Sequence, residues 1–366
     1  MNIVAIIMLV FAGIGALDRI IGNKLGVGKE FEKGIKLIGE LVLSMLGMII
    51  LAPALATLLA PFFNFVYNSL GIEPSILPAI LFANDMGGAP LAKEIAQNAD
   101  LGMFNGMVVA SMMGATVSFT IPMALGCLKK EKHADLMLGL LCGVVTIPVG
   151  CFVGGLICRI PIIPLLLDLL PLIIFSALTA VGLWLIPKIC IRIFTVLGYL
   201  IKVLVTVGLV LGLIELLLGF KPIESAGNAI DAAYICLNAA AVLSGALPLL
   251  FLLSKGLAKP MGALGNRLKI NGQSTLGFVS TLASNVSTFE IMNEMDQKGT
   301  VLNSAFAVSA SFLLADHLAF TLAFDQSYLL PMMVAKIISG LLAFLFAILI
   351  YKRANNTLNQ KEKEGS

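Results

Sequence analysis

The sequence predicts an all-α, polytopic membrane protein of about nine transmembrane helices plus two re-entrant hairpins. Three observations predict it. Apolar residues make up 59% of the 366-residue chain and charged residues 12%, against roughly 45–50% and 25% in soluble domains. Segment after segment reaches the ~20 apolar residues that cross a bilayer. Two further apolar stretches break at polar residues after about ten positions, a length that suits dipping into the membrane and returning. The chain lacks the alternating short strands of a membrane β-barrel.

Taken in order, spans are expected over residues 3–22, 37–60, 101–126, 135–158, 163–187, 193–219, 229–254, 300–324 and 329–352. The opening "MNIVAIIMLVFAGIGALDRI" has no basic n-region, so it reads as a first span rather than a cleaved signal. The hairpins fall over 75–97, containing "ILFANDMGGAPLAKEIAQ", and 274–297, "STLGFVSTLASNVSTFEIMNEMDQ". Basic residues cluster over 23–36, over 129–133, at Lys188 and Arg192, over 255–269 and from Lys352 onward. Such clusters stay in the cytoplasm. Nine crossings with both odd segments re-entrant put every cluster there, with the N-terminus outside and the C-terminus inside. If both segments crossed, placing 129–133 inside would put the lysine-rich loop 23–36 outside. The first hairpin therefore enters from outside and the second from the cytoplasm. The net charge of +3 resides in loops and points to no nucleic acid. Six cysteines lie in or beside apolar segments without paired metal-type spacing, and read as small hydrophobes.

The two hairpins align at an offset of 200 residues, Ala83 with Ala283, Glu94 with Glu294, Gln97 with Gln297, Val108 with Val308 and Ser111 with Ser311. Each follows one long span and precedes two more, and an odd number of crossings separates the units. That organisation is an inverted-topology repeat. A first membrane repeat covers 1–160, a linking transmembrane helix 161–190, a second repeat 191–352 and a polar cytoplasmic tail 353–366. Inverted repeats with broken helices meeting at the midplane mark secondary transporters, and the breaks mark the substrate site.

The chemistry of the breaks is asymmetric. A half-helix ending near Asn84 presents free carbonyls and a negative dipole end. Asp85 adds a charge, and Gly87 and Gly88 allow close backbone approach, so this tip suits an ammonium. The second tip offers Ser284, Asn285, Ser287 and Thr288, neutral groups suited to a hydroxyl. The bland alternatives are an N-cap for Asp85 and a Ser287–Glu290 capping box. Asp316 and His317 lie within an otherwise apolar span, as substrate counter-ion, proton relay or interhelical glue. Glu40, Lys202 and Asp168 sit within reach of an interface, while Lys336 is deeper and could partner Asp316 or Asp85.

"NDMGGAPLAKE", "SMMGATVSFTIPMALG", "GVVTIPVGCFVGG", "AFAVSASFLLADHLAF" and "PMMVAKIISG" together closely resemble the ethanolamine-utilisation membrane proteins of EutH type, over nearly the whole chain. The resemblance implies an ethanolamine permease of the bacterial cytoplasmic (inner) membrane. It departs from the family pattern at Asn84, where a cysteine is expected, and at "SNVST", where Val286 and Ser287 replace an apolar residue and a proline. One tryptophan and five tyrosines argue against an aromatic cage. No enzyme motif such as a nucleophile elbow or H-E-x-x-H is present, so no catalysis and no cofactor are expected, with H⁺ or Na⁺ coupling left open. The alternatives are a carrier for another small polar solute, such as a nucleoside or amino acid, and, more remotely, a membrane-embedded enzyme. Small-residue faces such as "GCFVGG" suit a homodimer within the lipid.

Overall fold

Hydropathy translates directly into helix. The structure, a computed structural model, describes residues 2–364, with side chains through residue 352. Among the described residues the regular structure is entirely helical. Helix α1 spans Ile3–Ile20 and α2 Val27–Leu70. A first helical pair follows, α3 (Ile76–Leu81) and α4 (Ala89–Ile95), then α5 (Ala99–Cys127), α6 (Lys130–Ile157), α7 (Ile162–Leu185), α8 (Pro187–Leu218) and α9 (Ala229–Leu268). A second pair, α10 (Gly272–Ala283) and α11 (Asn285–Met292), precedes α12 (Gln297–Ala310), α13 (Asp316–Phe324) and α14 (Leu329–Glu364). Among the described residues, eight helices are long and apolar enough to cross a membrane. Their outward faces carry fully apolar side chains such as Trp184, 73% exposed, and Leu217, 78% exposed. That surface is stable only against lipid, and the chain is a multi-pass membrane protein. The polar tail expected over 353–366 lies outside the described side chains, and its last two residues outside the described chain.

Helix starts follow capping chemistry. Asn98, Asn228, Asn271 and Asp296 each accept a hydrogen bond from a backbone N–H in the first turn of the helix they precede. The basic stretch expected as a loop over 23–36 is instead helical from Val27. The Asp18 carboxylate, at the end of α1, accepts from Leu25 N (2.8 Å) and Gly28 N (2.9 Å) and so starts α2. The stretch 255–269 likewise continues α9 to Leu268.

Both short pairs fold back on themselves. At the base of the first, the Glu73 carboxylate accepts from Gln97 N (2.9 Å) and Asn98 N (3.1 Å). At the base of the second, Asn271 donates from N to Asp296 (2.5 Å) and from Nδ2 to the Glu294 carbonyl (2.8 Å). The first base sits at the start of α5. The second is fastened to its far end, because Asn293 accepts from Lys129 N and donates to the Cys127 carbonyl, both at 2.9 Å. Helix α5 is 29 residues long, about 43 Å, so the two bases are separated by its full length. Both tips meet its C-terminal half: Ala83 N donates to Ser118 Oγ (3.3 Å) and Asn285 Nδ2 to Thr120 Oγ1 (2.8 Å).

Three expectations are corrected here. The span expected over 300–324 is not continuous: the helix stops at Ala310 and restarts at Asp316, with Phe312 at φ +62°. The "GCFVGG" face is buried within the protomer, where Gly150 and Gly154 pack against Ala335 of α14, and is not free to make a dimer. Asp168 does not reach an interface; it is 4% exposed and accepts from Asn105 Nδ2 at 3.0 Å.

Candidate functional site

The first tip is shaped by "FANDMGG". Phe82 and Ala83 are extended, and Met86 N and Gly88 N both bond back to the Ala83 carbonyl. Gly87 sits at φ +113°, a left-handed conformation that glycine adopts without strain, and this widens the following turn. The second tip turns on one residue, Ser284, whose extended backbone (φ −156°) ends α10 while its hydroxyl accepts from Val286 N and starts α11. The capping residue is therefore Ser284. The Ser287–Glu290 box is overturned, since Ser287 lies inside α11 with its side chain exposed. Nor is Asp85 a helix cap: it lies inside the turn Asn84–Gly88, whose preceding residue is Ala83, and neither that turn nor α4 after it has a side-chain cap.

Between the tips lies a cavity of about 230 Å³, open on one side. Ala83, Asp85 and Met86 line it from the first tip, and Ser284 and Val286 from the second. Asp316 and His317 face it from the start of α13, Phe119 from α5 and Phe312 from the break before α13. Glu40 and Ser44 of α2 close the remaining wall beside a π-helical turn over Val42–Leu46. Asp85 and Asp316 are half-buried, and Glu40 is exposed at the mouth. Phe119 and Phe312 meet edge to face at 5.7 Å, forming an aromatic wall.

Behind the cavity, the buried Lys336 ammonium donates to the Ser111 carbonyl (2.6 Å) and to His317 Nδ1 (3.0 Å). Lysine has donors only, so Nδ1 accepts and the imidazole proton sits on Nε2. Lys336 thus pairs with His317 rather than with Asp316 or Asp85.

Of the residues expected at the site, Asp85, Ser284, Asp316 and His317 line the cavity, and Asn84, Gly87, Gly88, Asn285, Ser287 and Thr288 do not. Asn285 ties its tip to Thr120, and Thr288 bonds Thr281 Oγ1 (3.0 Å) across the second pair. Asn84 is fully buried, and neither polar atom of its carboxamide meets a protein partner. Glu40, Phe119 and Phe312 were missed. A carboxylate directly after an amphipathic basic helix was the available signal for Glu40; the phenylalanines carried none.

Comparison with other proteins identifies the family. A family model for the ethanolamine utilisation protein EutH matches residues 1–350. The chain belongs to the EutH family. It is 41% identical to the probable ethanolamine permease EutH of Listeria monocytogenes over 99% of this chain and 97% of that one. Against the probable ethanolamine permease EutH of Escherichia coli K12 the identity is 36%, over 99% and 98%. An uncharacterised Bacillus subtilis protein, YxeR, is 34% identical over 93% and 92%. No solved structure matches the chain.

Proposed function

We propose that the chain carries ethanolamine, as its ammonium form, across the bacterial cytoplasmic membrane through the cavity between the two tips. One observation carries the reading. The cavity is bounded by both helix breaks, and among the described residues its only formally charged lining groups are the carboxylates Glu40, Asp85 and Asp316. A small cation held by Asp85 and Asp316 offsets their desolvation, which an empty apolar wall would not. The His317 Nε2–H and the Ser284 hydroxyl supply a donor and a donor–acceptor for the substrate hydroxyl. The Phe119 and Phe312 faces add cation–π attraction. The names of the EutH relatives point to the same substrate. An amino acid fits less well, because its carboxylate would face three others with Lys336 shielded behind His317. The reading is transport rather than catalysis.

In the same reading the two short pairs are re-entrant hairpins of inverted repeats. Their bases at opposite ends of α5 support this. So does a shared polar clamp: Asn105 Nδ2 bonds Ser75 Oγ at 3.0 Å, and Asn303 Nδ2 bonds the Ser274 carbonyl at 2.8 Å. Counting α12 and α13 as one broken crossing gives nine, with the N-terminus outside and the C-terminus in the cytoplasm, as the basic clusters require.

Counterflow tests the function. Proteoliposomes loaded with unlabelled ethanolamine should take up labelled ethanolamine well above protein-free vesicles. Uptake equal to protein-free vesicles, with thermal stabilisation by a nucleoside or amino acid instead, overturns it. Chemical turnover of ethanolamine by the purified protein would revive the enzyme alternative.

A further inference from the structure

Asp168 lies about 9 Å into α7, and Asn105 about 9 Å into α5, by helical rise. A carboxylate buried on a membrane helix is costly unless it is compensated. Among the described residues, the ion pairs are Arg19–Glu32, Lys36–Glu32 and Lys221–Glu215, and none supplies a cation to Asp168. Its one protein partner is Asn105 Nδ2, 3.0 Å from Oδ1; the same amide nitrogen bonds Ser75 Oγ at 3.0 Å. Two polar atoms of this joined pair are then left over: Asp168 Oδ2 and Asn105 Oδ1 are both buried without a partner. Asp168 is 4% exposed, and Asn105 and Ser75 are 0% exposed, so no bulk water supplies the missing bonds.

Protonation supplies what is missing. A hydrogen on Asp168 Oδ2 would turn one orphan acceptor into a donor and remove the uncompensated charge, and would serve Asn105 Oδ1 as in the ring of two hydrogen bonds that acids form with primary amides, while Asp168 Oδ1 keeps accepting from Nδ2. Turning the amide over keeps the requirement, since two oxygens would then face each other at 3.0 Å and need a hydrogen between them. A metal cation fits less well. The amide N–H donors point at Asp168 and Ser75, and sodium wants more oxygens than this pair offers.

We propose that Asp168 and Asn105 form a proton-binding site, separate from the central cavity, that couples ethanolamine movement to proton movement. The proposal rests on the transport reading above. The link is mechanical: Asn105 holds Ser75 at the base of the first hairpin, so losing the proton sets an anion against Asn105 Oδ1 and loosens that base. The second hairpin has the matching clamp, Asn303 on Ser274, in which Asn303 Nδ2 bonds only backbone carbonyls, Ser274 and Gly299. The asparagine clamp is thus joined to a carboxylate only at the first base; the carboxylate of the second base, Asp296, is engaged by the N–H groups of Asn271 and Gly299 instead.

The titratable surroundings are few. Helix α7 packs against α3, α6 and α8. Helix α3 carries no titratable residue, and α6 presents the buried Cys151. Lys202 of α8 lines a different cavity, with Glu40 and Tyr199. Glu73 lies at the hairpin base, its carboxylate engaged by Gln97 and Asn98 N–H. Helix α5 contributes Asn105 itself.

Asp168→Asn decides the matter, because asparagine mimics the protonated acid and keeps both bonds of the ring. Two readouts are needed in reconstituted protein. Infrared spectra of the wild type near neutral pH should show a buried protonated-carboxyl band that titrates away at alkaline pH and is missing in Asp168→Asn. In vesicles, an imposed pH gradient should drive wild-type ethanolamine accumulation several-fold above equilibrium. Asp168→Asn should lose that accumulation yet keep ethanolamine counterflow within about two-fold of the wild type. Loss of wild-type counterflow itself would instead sink the transport reading. A band that never titrates, a gradient response that survives Asp168→Asn, or accumulation driven by sodium with no response to pH would each overturn the proposal.

Discussion

Phe82 ends the first half of one hairpin and Leu282 lies one residue before the end of the other, 200 positions on, and Gly114 and Leu314 are the residues that cross them. The two crossings are solved differently. At Gly114 the helix runs on through π-helical turns, so close to the hairpin that a Cβ would overlap the Phe82 carbonyl oxygen. At Leu314 no such approach is possible, and the helix opens. Leu314 N donates to the Leu282 carbonyl (2.9 Å) and Phe312 N to that of Thr281 (3.2 Å), so the hairpin satisfies the freed backbone. Bare backbone inside a membrane is tolerated where protein pairs it. The lesson is that one missing side chain decides whether the helix behind a hairpin stays continuous or exposes a new helix start. The new start is where Asp316 and His317 reach the cavity, whereas the continuous helix contributes only Ala115 and Phe119.

The sharpest way to break this comparison is at the two carboxylates, one on each side of it. Asp85→Asn and Asp316→Asn each remove a charge-assisted contact of about 1.5–3 kcal/mol. Half-saturation of counterflow should rise roughly ten- to a hundred-fold in either variant. An unchanged value in a well-folded variant removes that residue from the site, and unequal values show which repeat dominates binding.

A smaller effect is expected at the crossing. Gly114→Ala forces a methyl onto the Phe82 carbonyl and should destabilise by about 1–3 kcal/mol. Gly126→Ala, with nothing within 4 Å of the new methyl, is the control and should leave the thermal midpoint in detergent almost unmoved. Equal midpoints for the two variants would mean that the close approach is not what holds α5 straight.

The smallest effects separate the tips. The second tip has a side-chain cap and the first has none. Ser284→Ala should cost about 1 kcal/mol, while Ser287→Ala, on the exposed face of α11, should stay within about 0.5 kcal/mol. The reverse order in unfolding measurements would reinstate the Ser287–Glu290 box.

Much of this architecture is legible in the residues. Apolar runs announce the long helices because lipid accepts nothing else, and "FANDMGG" and "LASNVST" announce the tips because they contain residues that compete with a helix. The break at 311–315 is not legible. "SFLLA" contains no breaker, and its conformation is imposed by pairing with Thr281 and Leu282, thirty residues away. The cap at Ser284 was obscured by a better motif three residues on, where Ser287 and Glu290 match the spacing but the backbone is already helical. Asp85, Ser284, Asp316 and His317 stood out as polar groups in apolar company. Glu40 blended into the basic helix before it, and the pairing of Lys336 with His317 needed the fold to bring α14 beside α13.

Each tip is pinned to α5 by a single uncharged hydrogen bond, Ala83 to Ser118 and Asn285 to Thr120. Each base is lashed by several, some to carboxylates. A lone neutral bond is worth about 0.5–1.5 kcal/mol, and bonds to charged groups about twice that each. The first hairpin is therefore tied more heavily at its root than at its point, while the second is held beside its point as well, by Phe312 N on Thr281 and Leu314 N on Leu282, like two unequal latches hinged at opposite ends of one spindle. Ser118 and Thr120 stand two residues apart on α5, so the two points hang on different side chains of one helix. Under the transport reading proposed above, one point would lift without the other, and a substrate between them would leave toward the side that had lifted.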